Sequence, residues 1–162
     1  MKNLPPHLYV DPATYEAERR SIFACSWQLL GPVSQAAERG QYVASEIAGT
    51  KVFVIRGRDG VLRGFLNVCR HRGARLLEEG SGRCATVRCP YHQWVFDDAG
   101  ALVNAPWFGD DPDFRKEDWP LEPIHVDTWR GLLFVAVKPQ RSLVEQLGEL
   151  VGELADEPIE NY

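Results

Sequence analysis

Two short loops, each pairing one cysteine with one histidine, constrain this chain more than any other feature of its sequence. The first runs from Cys69 to His71 (C-R-H) and follows the apolar run GFLNV. The second runs from Cys89 to His92 (C-P-Y-H) and precedes the apolar run WVF. Seventeen residues separate His71 from Cys89. The pattern predicts two hairpin tips that face each other and present four metal-binding side chains.

Two thiolates and two imidazoles suit a two-iron, two-sulfide cluster in which one iron takes both cysteines and the other takes both histidines. Each loop can supply one ligand of each kind. Two thiolates leave the oxidised site neutral, whereas four would leave it dianionic and harder to reduce. Histidine ligation therefore places the potential at roughly −150 to +300 mV, against about −400 mV for plant-type four-cysteine clusters.

Two other interpretations remain open. Zinc also binds two cysteines and two histidines, but zinc sites usually group like ligands, as in C-x-x-C followed by H-x-x-x-H on a helix. In this chain each loop is mixed, and a strand follows the second loop. The four residues could also be unrelated members of a core, which their close placement among glycines and strand ends disfavours. The sequence favours the iron–sulfur cluster over both.

The composition of the 162 residues, 44% hydrophobic and 25% charged, is typical of one globular domain. The formal net charge of −5 disfavours nucleic acid as a partner. No apolar run approaches the length of a membrane span, and the N-terminus lacks the apolar core of a secretory signal, so we expect a cytoplasmic location. In a reducing compartment Cys25 and Cys84 are expected to be buried free thiols.

Apolar residues alternate with period two through most of the chain, which predicts a mainly β fold with a helix at each end. Asp11 as N-cap and Pro12 in the first turn begin the N-terminal helix. Antiparallel strands are predicted at 42–47, 51–56, 61–68, 94–96, 101–104, 121–126 and 131–137. Four leucines at helical spacing predict one helix over 141–154: Leu143, Leu147, Leu150 and Leu154. The predicted organisation is an N-terminal helix and lead-in over 1–40, the metal-binding domain over 41–138, and a C-terminal helix and tail over 139–162.

The segments FLNVCRHRGARLLEEGSG and CPYHQWVFDDAGALVNAP resemble the Rieske domain of ring-hydroxylating oxygenase alpha subunits, the Rieske non-haem iron oxygenases. YVDPATYEAERRSIFACSWQLLG resembles the helix and strand that precede this domain, and WRGLLFVAV resembles its closing strand. The resemblance implies a Rieske-type antiparallel β-sandwich with cluster-binding hairpin loops. It also implies that the ligands of a [2Fe–2S] cluster are Cys69, His71, Cys89 and His92.

The chain departs from the family at Gln93, where the family usually has glycine after the second histidine ligand. Glycine there lets the backbone approach the cluster sulfides, so the departure bears on the reduction potential. In the respiratory Rieske proteins a disulfide joins the two loops, but Ala74 and Tyr91 stand near those positions. Trp94 replaces the serine of that group. These differences indicate the lower-potential oxygenase type.

The resemblance also implies partners. In the family a reductase, with or without a ferredoxin, passes electrons from NAD(P)H to the Rieske cluster, which delivers them to a mononuclear iron in a neighbouring subunit of a trimer. That iron is bound by two histidines and a carboxylate in a catalytic domain that follows the Rieske domain. Beyond His92 this chain has only His125, so we expect no catalytic residues in it. His92 corresponds to the histidine that bonds an acid of the neighbouring subunit.

Two functions follow from the resemblance. The chain is either the electron-input part of an oxidoreductase that hydroxylates an aromatic ring or a quaternary amine, or a stand-alone Rieske electron carrier that acts in trans. Arg70 and Arg72 flank the first histidine, where they can stabilise the reduced cluster or contact a partner.

Overall fold

The computed structural model describes residues 3–108 and 111–159, so the end of the predicted tail at 160–162 lies outside the described residues. Antiparallel strands make up most of the fold, as the alternation predicts. The strands are β1 (Gln28–Pro32), β2 (Gln41–Ile47), β3 (Thr50–Arg56), β4 (Leu62–Leu66), β5 (Gly80–Arg83), β6 (Val87–Arg88), β7 (Val95–Phe96), β8 (Leu102–Asn104), β9 (Pro123–Trp129) and β10 (Leu132–Ala136).

The strands form two sheets of unequal size. The larger sheet has the order β1-β10-β9-β4-β3-β2-β5, and the smaller has the order β6-β7-β8. Within the described residues every strand pairing is antiparallel. Strands β5 and β6 lie in the stretch between the two Cys/His loops, where the sequence shows no sustained period and no strand is predicted.

Strand β3 lies at the centre of the core because both of its faces are buried. Successive side chains of a strand point to opposite faces, so β3 contributes to two separate hydrophobic cores. Phe53 and Ile55 pack with the residues of the small sheet and its loops. Val52 and Val54 pack on the other side with residues of β9 and β10. The small sheet therefore rests on a strand that cannot shift without disturbing both cores.

The N-terminal helix is confirmed as α1 (Pro12–Ser21). The Asp11 carboxylate caps it by accepting hydrogen bonds from the backbone N–H groups of Ala13 (3.4 Å) and Thr14 (3.0 Å). These bonds satisfy two of the donors that every helix leaves unpaired at its start.

The prediction of one C-terminal helix over 141–154 is wrong, because the segment forms two short helices, α2 (Leu143–Leu147) and α3 (Leu150–Glu153). Gly148 lies between them at φ +55° and ψ −126°, a combination that glycine reaches easily because it has no Cβ. Within the described residues no helix is long and apolar enough to cross a membrane.

Candidate metal centre

The first Cys/His loop is a tight turn that begins at Cys69. The Cys69 N–H donates to the carbonyl of Ala74 (2.7 Å), and the Gly73 N–H donates to the carbonyl of Cys69 (2.9 Å). Gly73 adopts φ +70°, in the left-handed region that glycine tolerates. The turn brings the chain back beside β4 and leaves Cys69 at the base of the loop, only 3% exposed.

Asn67 fixes the two ends of this loop to each other. Its side chain is buried, with the residue 1% exposed. The amide Nδ2 donates to the carbonyl of Leu77 (2.7 Å), and Oδ1 accepts from the Leu77 N–H (2.9 Å). Removing either partner would leave a buried polar group unpaired, which is costly. Asn67 was not predicted as a site residue, because its one signal in the sequence is a polar residue inside the apolar run FLNVC.

The second loop repeats the hydrogen-bond pattern of the first. The Cys89 N–H donates to the carbonyl of Trp94 (2.8 Å), and the Gln93 N–H donates to the carbonyl of Cys89 (3.1 Å). Gln93 therefore occupies the position that Gly73 holds in the first loop. It adopts φ +59°, close to the φ of +70° at Gly73. Gln93 thus keeps the left-handed backbone conformation of the family's glycine. Because Gln93 has a Cβ, this conformation is strained.

We expect Gln93→Gly to stabilise the protein by about 1 kcal/mol, because it removes left-handed strain that exceeds the extra backbone entropy of glycine. For a chain of this size the melting temperature should rise by about 2–4 °C. Thermal unfolding followed by circular dichroism measures the shift. Gln93→Ala is the matched control, since alanine keeps the Cβ and the strain. An equal gain in both variants would contradict the explanation.

The two loops bring the cysteines together. Cys69 and Cys89 are buried in the same core cluster, close enough for their thiols to interact. Burial raises the pKa of the Cys69 thiol to about 11; the N–H groups of His71 and Arg72 oppose this rise, and the adjacent Cys89 thiol adds to it. Two buried thiols side by side lose their protons readily only when a cation binds their sulfur atoms, as happens at metal sites.

The two loops also bring their histidines together. The rings of His71 and His92 lie 4.5 Å apart between centroids at an angle of 64°. The Nδ1 atom of His71 is buried and has no hydrogen-bond partner among the described residues. Burial, with His92 and Arg72 adding to it, lowers the pKa of His71, which favours the neutral form of the ring and its lone pair. An unpartnered buried nitrogen with a free lone pair fits a metal ligand.

The structure thus brings together all four residues that the sequence selects: Cys69, His71, Cys89 and His92. Within residues 3–108 and 111–159, no three His, Cys, Asp or Glu side chains are placed around a single metal ion. A two-iron cluster distributes its ligands over two metals, so the donor set, two soft thiols and two imidazoles, fits such a cluster.

Aromatic rings surround the histidine side of the site. Trp94 stacks on His71 with 4.9 Å between centroids and an angle of 8°. Tyr91, which is 61% exposed, covers His92 at 3.7 Å. The site is therefore closed on the Trp94 side and reaches the surface beside Tyr91.

Of the remaining candidates, the arginines lie on the first loop, and Cys25, Cys84 and His125 lie outside both loops. Arg70 forms an ion pair with Glu122 (3.5 Å) at the edge of the first loop. Cys25 and Cys84 are free thiols as predicted, but they are half-buried and not fully buried. His125 lies in β9 and contacts the edge of the Trp27 ring at 6.4 Å.

Comparison with known families identifies the fold and the cofactor. The Rieske [2Fe–2S] domain family matches residues 26–115, more than half of the chain. This chain belongs to the Rieske [2Fe–2S] domain family. The prediction of the family, of the mainly β Rieske-type fold and of the cofactor is confirmed.

The Rieske chain is similar to the alpha subunits of oxygenases. It is 39% identical to the biphenyl 2,3-dioxygenase alpha subunit of Rhodococcus jostii (strain RHA1) over 132 residues, which are 81% of this chain and 29% of that one. It is 36% identical to the carnitine monooxygenase oxygenase subunit of Escherichia coli (strain K12) over 143 residues, which are 88% of this chain and 38% of that one. The chain therefore spans less than half the length of these curated relatives.

Solved structures show the same architecture. The quaternary ammonium Rieske monooxygenase CntA in complex with gamma-butyrobetaine aligns with a TM-score of 0.88 and 33% identity, over 98% of this chain and 46% of that one. Naphthalene 1,2-dioxygenase from Rhodococcus sp. bound to indole aligns with a TM-score of 0.84 and 35% identity, over 93% of this chain and 35% of that one. The Rieske domain has the same fold in a dioxygenase and in a monooxygenase.

Proposed function

We propose that this Rieske domain carries single electrons through a [2Fe–2S] cluster held by Cys69, His71, Cys89 and His92. The observation that supports it most directly is the buried, unpartnered Nδ1 of His71, because its ring meets a second imidazole and its loop also carries one of two neighbouring thiols. The two thiols would hold one iron and the two imidazoles the other. When bound, the cluster supplies a site that accepts and releases one electron.

The protein around the site keeps water from the cysteines and leaves both histidines half-buried. Cys69 and Cys89 are buried at the base of the two loops. His92 is half-buried beneath the exposed Tyr91, so an electron can pass at this edge to a partner held against it. The exposed guanidinium groups of Arg70 and Arg72 lie on the neighbouring loop and favour a partner with an acidic surface.

The relatives indicate the larger system in which this electron transfer takes place. We propose that the domain is the electron-input part of an oxidoreductase of the Rieske oxygenase type. Its electrons would come from a reductase, a ferredoxin or both, and go to the mononuclear iron of a catalytic domain on a neighbouring subunit, in a trimer. Biphenyl dioxygenase and carnitine monooxygenase subunits match the chain at similar identity, so an aromatic compound and a quaternary amine are both proposed as substrate classes.

Three finer points remain predictions. These are the domain boundaries at 1–40, 41–138 and 139–162, the cytoplasmic location, and the second function as a stand-alone carrier acting in trans. Sequencing the gene downstream of Tyr162 separates the two functions. A segment that encodes D-x-x-H, then four or five residues, then a second histidine supports the oxygenase, and a stop codon supports the carrier.

The cluster itself is tested on the purified chain after incubation with ferrous iron and sulfide under anaerobic conditions. We expect a brown protein with two irons and two labile sulfides per chain. Dithionite reduction should produce the electron paramagnetic resonance (EPR) spectrum of a histidine-ligated cluster, with an average g value below that of four-cysteine clusters. Stoichiometric zinc in a colourless protein that takes up no iron would contradict the proposal.

A further inference from the structure

Trp94 connects the two loops of the site in two different ways. Its backbone carbonyl accepts the hydrogen bond from the Cys89 N–H and so closes the second loop. Its indole reaches across to the first loop and stacks face to face on His71, with 4.9 Å between centroids and an angle of 8°. One residue therefore fixes the base of one loop and the plane of a side chain on the other.

The indole is itself held in place. Trp94 is fully buried, and three aromatic rings meet it at steep angles. These are Phe108 at 5.5 Å and 89°, Phe114 at 5.7 Å and 66°, and Trp119 at 5.5 Å and 89°. Edge contacts of this kind restrain the rotation of the ring that they touch. The stack on His71 thus rests on a ring that has little freedom to turn.

Trp94 makes no use of its polar atom within the described chain. Its Nε1 is buried and has no hydrogen-bond partner there. A buried donor without a partner is unfavourable, so the indole N–H does not account for a tryptophan at this place. The property of Trp94 that the site uses is therefore the flat face of its indole, which stacks on His71. On the other side of the stack, His71 carries the unpartnered Nδ1, whose lone pair lies in the plane of the ring.

We propose that Trp94 is a positioning residue for His71: its stacked face fixes the imidazole plane and hence the direction of the Nδ1 lone pair. The inference rests on the proposed function, because it assigns a role toward the cluster. An imidazole that can rotate about its χ2 torsion meets the iron in several orientations. Each orientation gives a slightly different iron environment and a weaker average bond.

The test compares Trp94→Leu and Trp94→Phe after loading with ferrous iron and sulfide. Trp94→Leu removes the flat face, so we expect broadened or multiple EPR signals and release of iron to a chelator that is faster by roughly tenfold, the factor for losing an aromatic pair. Trp94→Phe keeps a flat ring and is expected to retain a single narrow signal and a release rate within about twofold of wild type.

Trp27→Leu is the matched control, because Trp27 is also buried but packs in a separate cluster with Phe134, Ala136 and Leu143. It is expected to leave the EPR spectrum narrow. The inference is overturned if Trp94→Leu matches wild type, if Trp94→Phe behaves like Trp94→Leu, or if Trp27→Leu broadens the spectrum as much. Failure of the wild-type chain to bind a cluster would instead contradict the proposed function, so the two failures are distinguishable.

Discussion

Cys69→Ser and Cys89→Ser are each expected to abolish the [2Fe–2S] cluster, whereas Cys25→Ser and Cys84→Ser should keep the full complement of iron. The first two thiols are neighbours inside the site, and a serine hydroxyl does not ionise under the conditions that produce a thiolate ligand. The other two thiols are half-buried and lie outside the two loops. The visible absorption of the cluster and the iron and labile sulfide content measure the outcome after identical reconstitution.

The four variants control one another because each exchanges one sulfur for one oxygen. Circular dichroism of every variant before loading tests whether the fold is retained. Equal cluster content in Cys69→Ser and Cys84→Ser would show that the ligand set is wrong. Loss of the cluster in Cys84→Ser with a retained fold would place Cys84 among the ligands.

The sequence was sufficient to select the four residues that the two loops present, because each loop is a local pattern next to a strand. The hydrogen-bond pattern that the two loops share was not predicted. Gly73 and Gln93 are each the fourth residue after a cysteine, but the histidines stand at different offsets, two and three residues after Cys69 and Cys89. Because the histidines are spaced differently, the sequence does not show that the two loops are equivalent; the shared backbone hydrogen bonds do.

Two strands were missed for a simple physical reason. Strand β5 has the sequence GSGR and lies at the edge of the large sheet, where it pairs with β2 through its backbone. It has no buried apolar face, so its sequence lacks the alternation of apolar and polar residues by which strands are predicted. Strand β6 is only Val87–Arg88. The break between the two C-terminal helices at Gly148 was not predicted either, because the helical spacing of the leucines continues across it.

His92→Cys is expected to lower the reduction potential by on the order of 100–300 mV, roughly half of the difference between histidine-ligated and four-cysteine clusters. The exchange replaces a neutral imidazole with a thiolate, which adds one negative charge to the oxidised cluster and makes it harder to reduce. Three thiolates and one imidazole remain competent ligands, and His92 lies at the half-buried edge of the site, so we expect the cluster to assemble. Spectroelectrochemical titration of the loaded protein measures the midpoint potential.

His125→Cys is the matched control for this experiment. His125 is exposed on β9, away from the two loops, and its ring contact is with Trp27. The same exchange of imidazole for thiol there should leave the potential within experimental error of wild type. A potential unchanged in His92→Cys with a full cluster would mean that His92 is not a ligand. A fall of equal size in both variants would show that the effect arises from the added thiol and not from the charge on the iron.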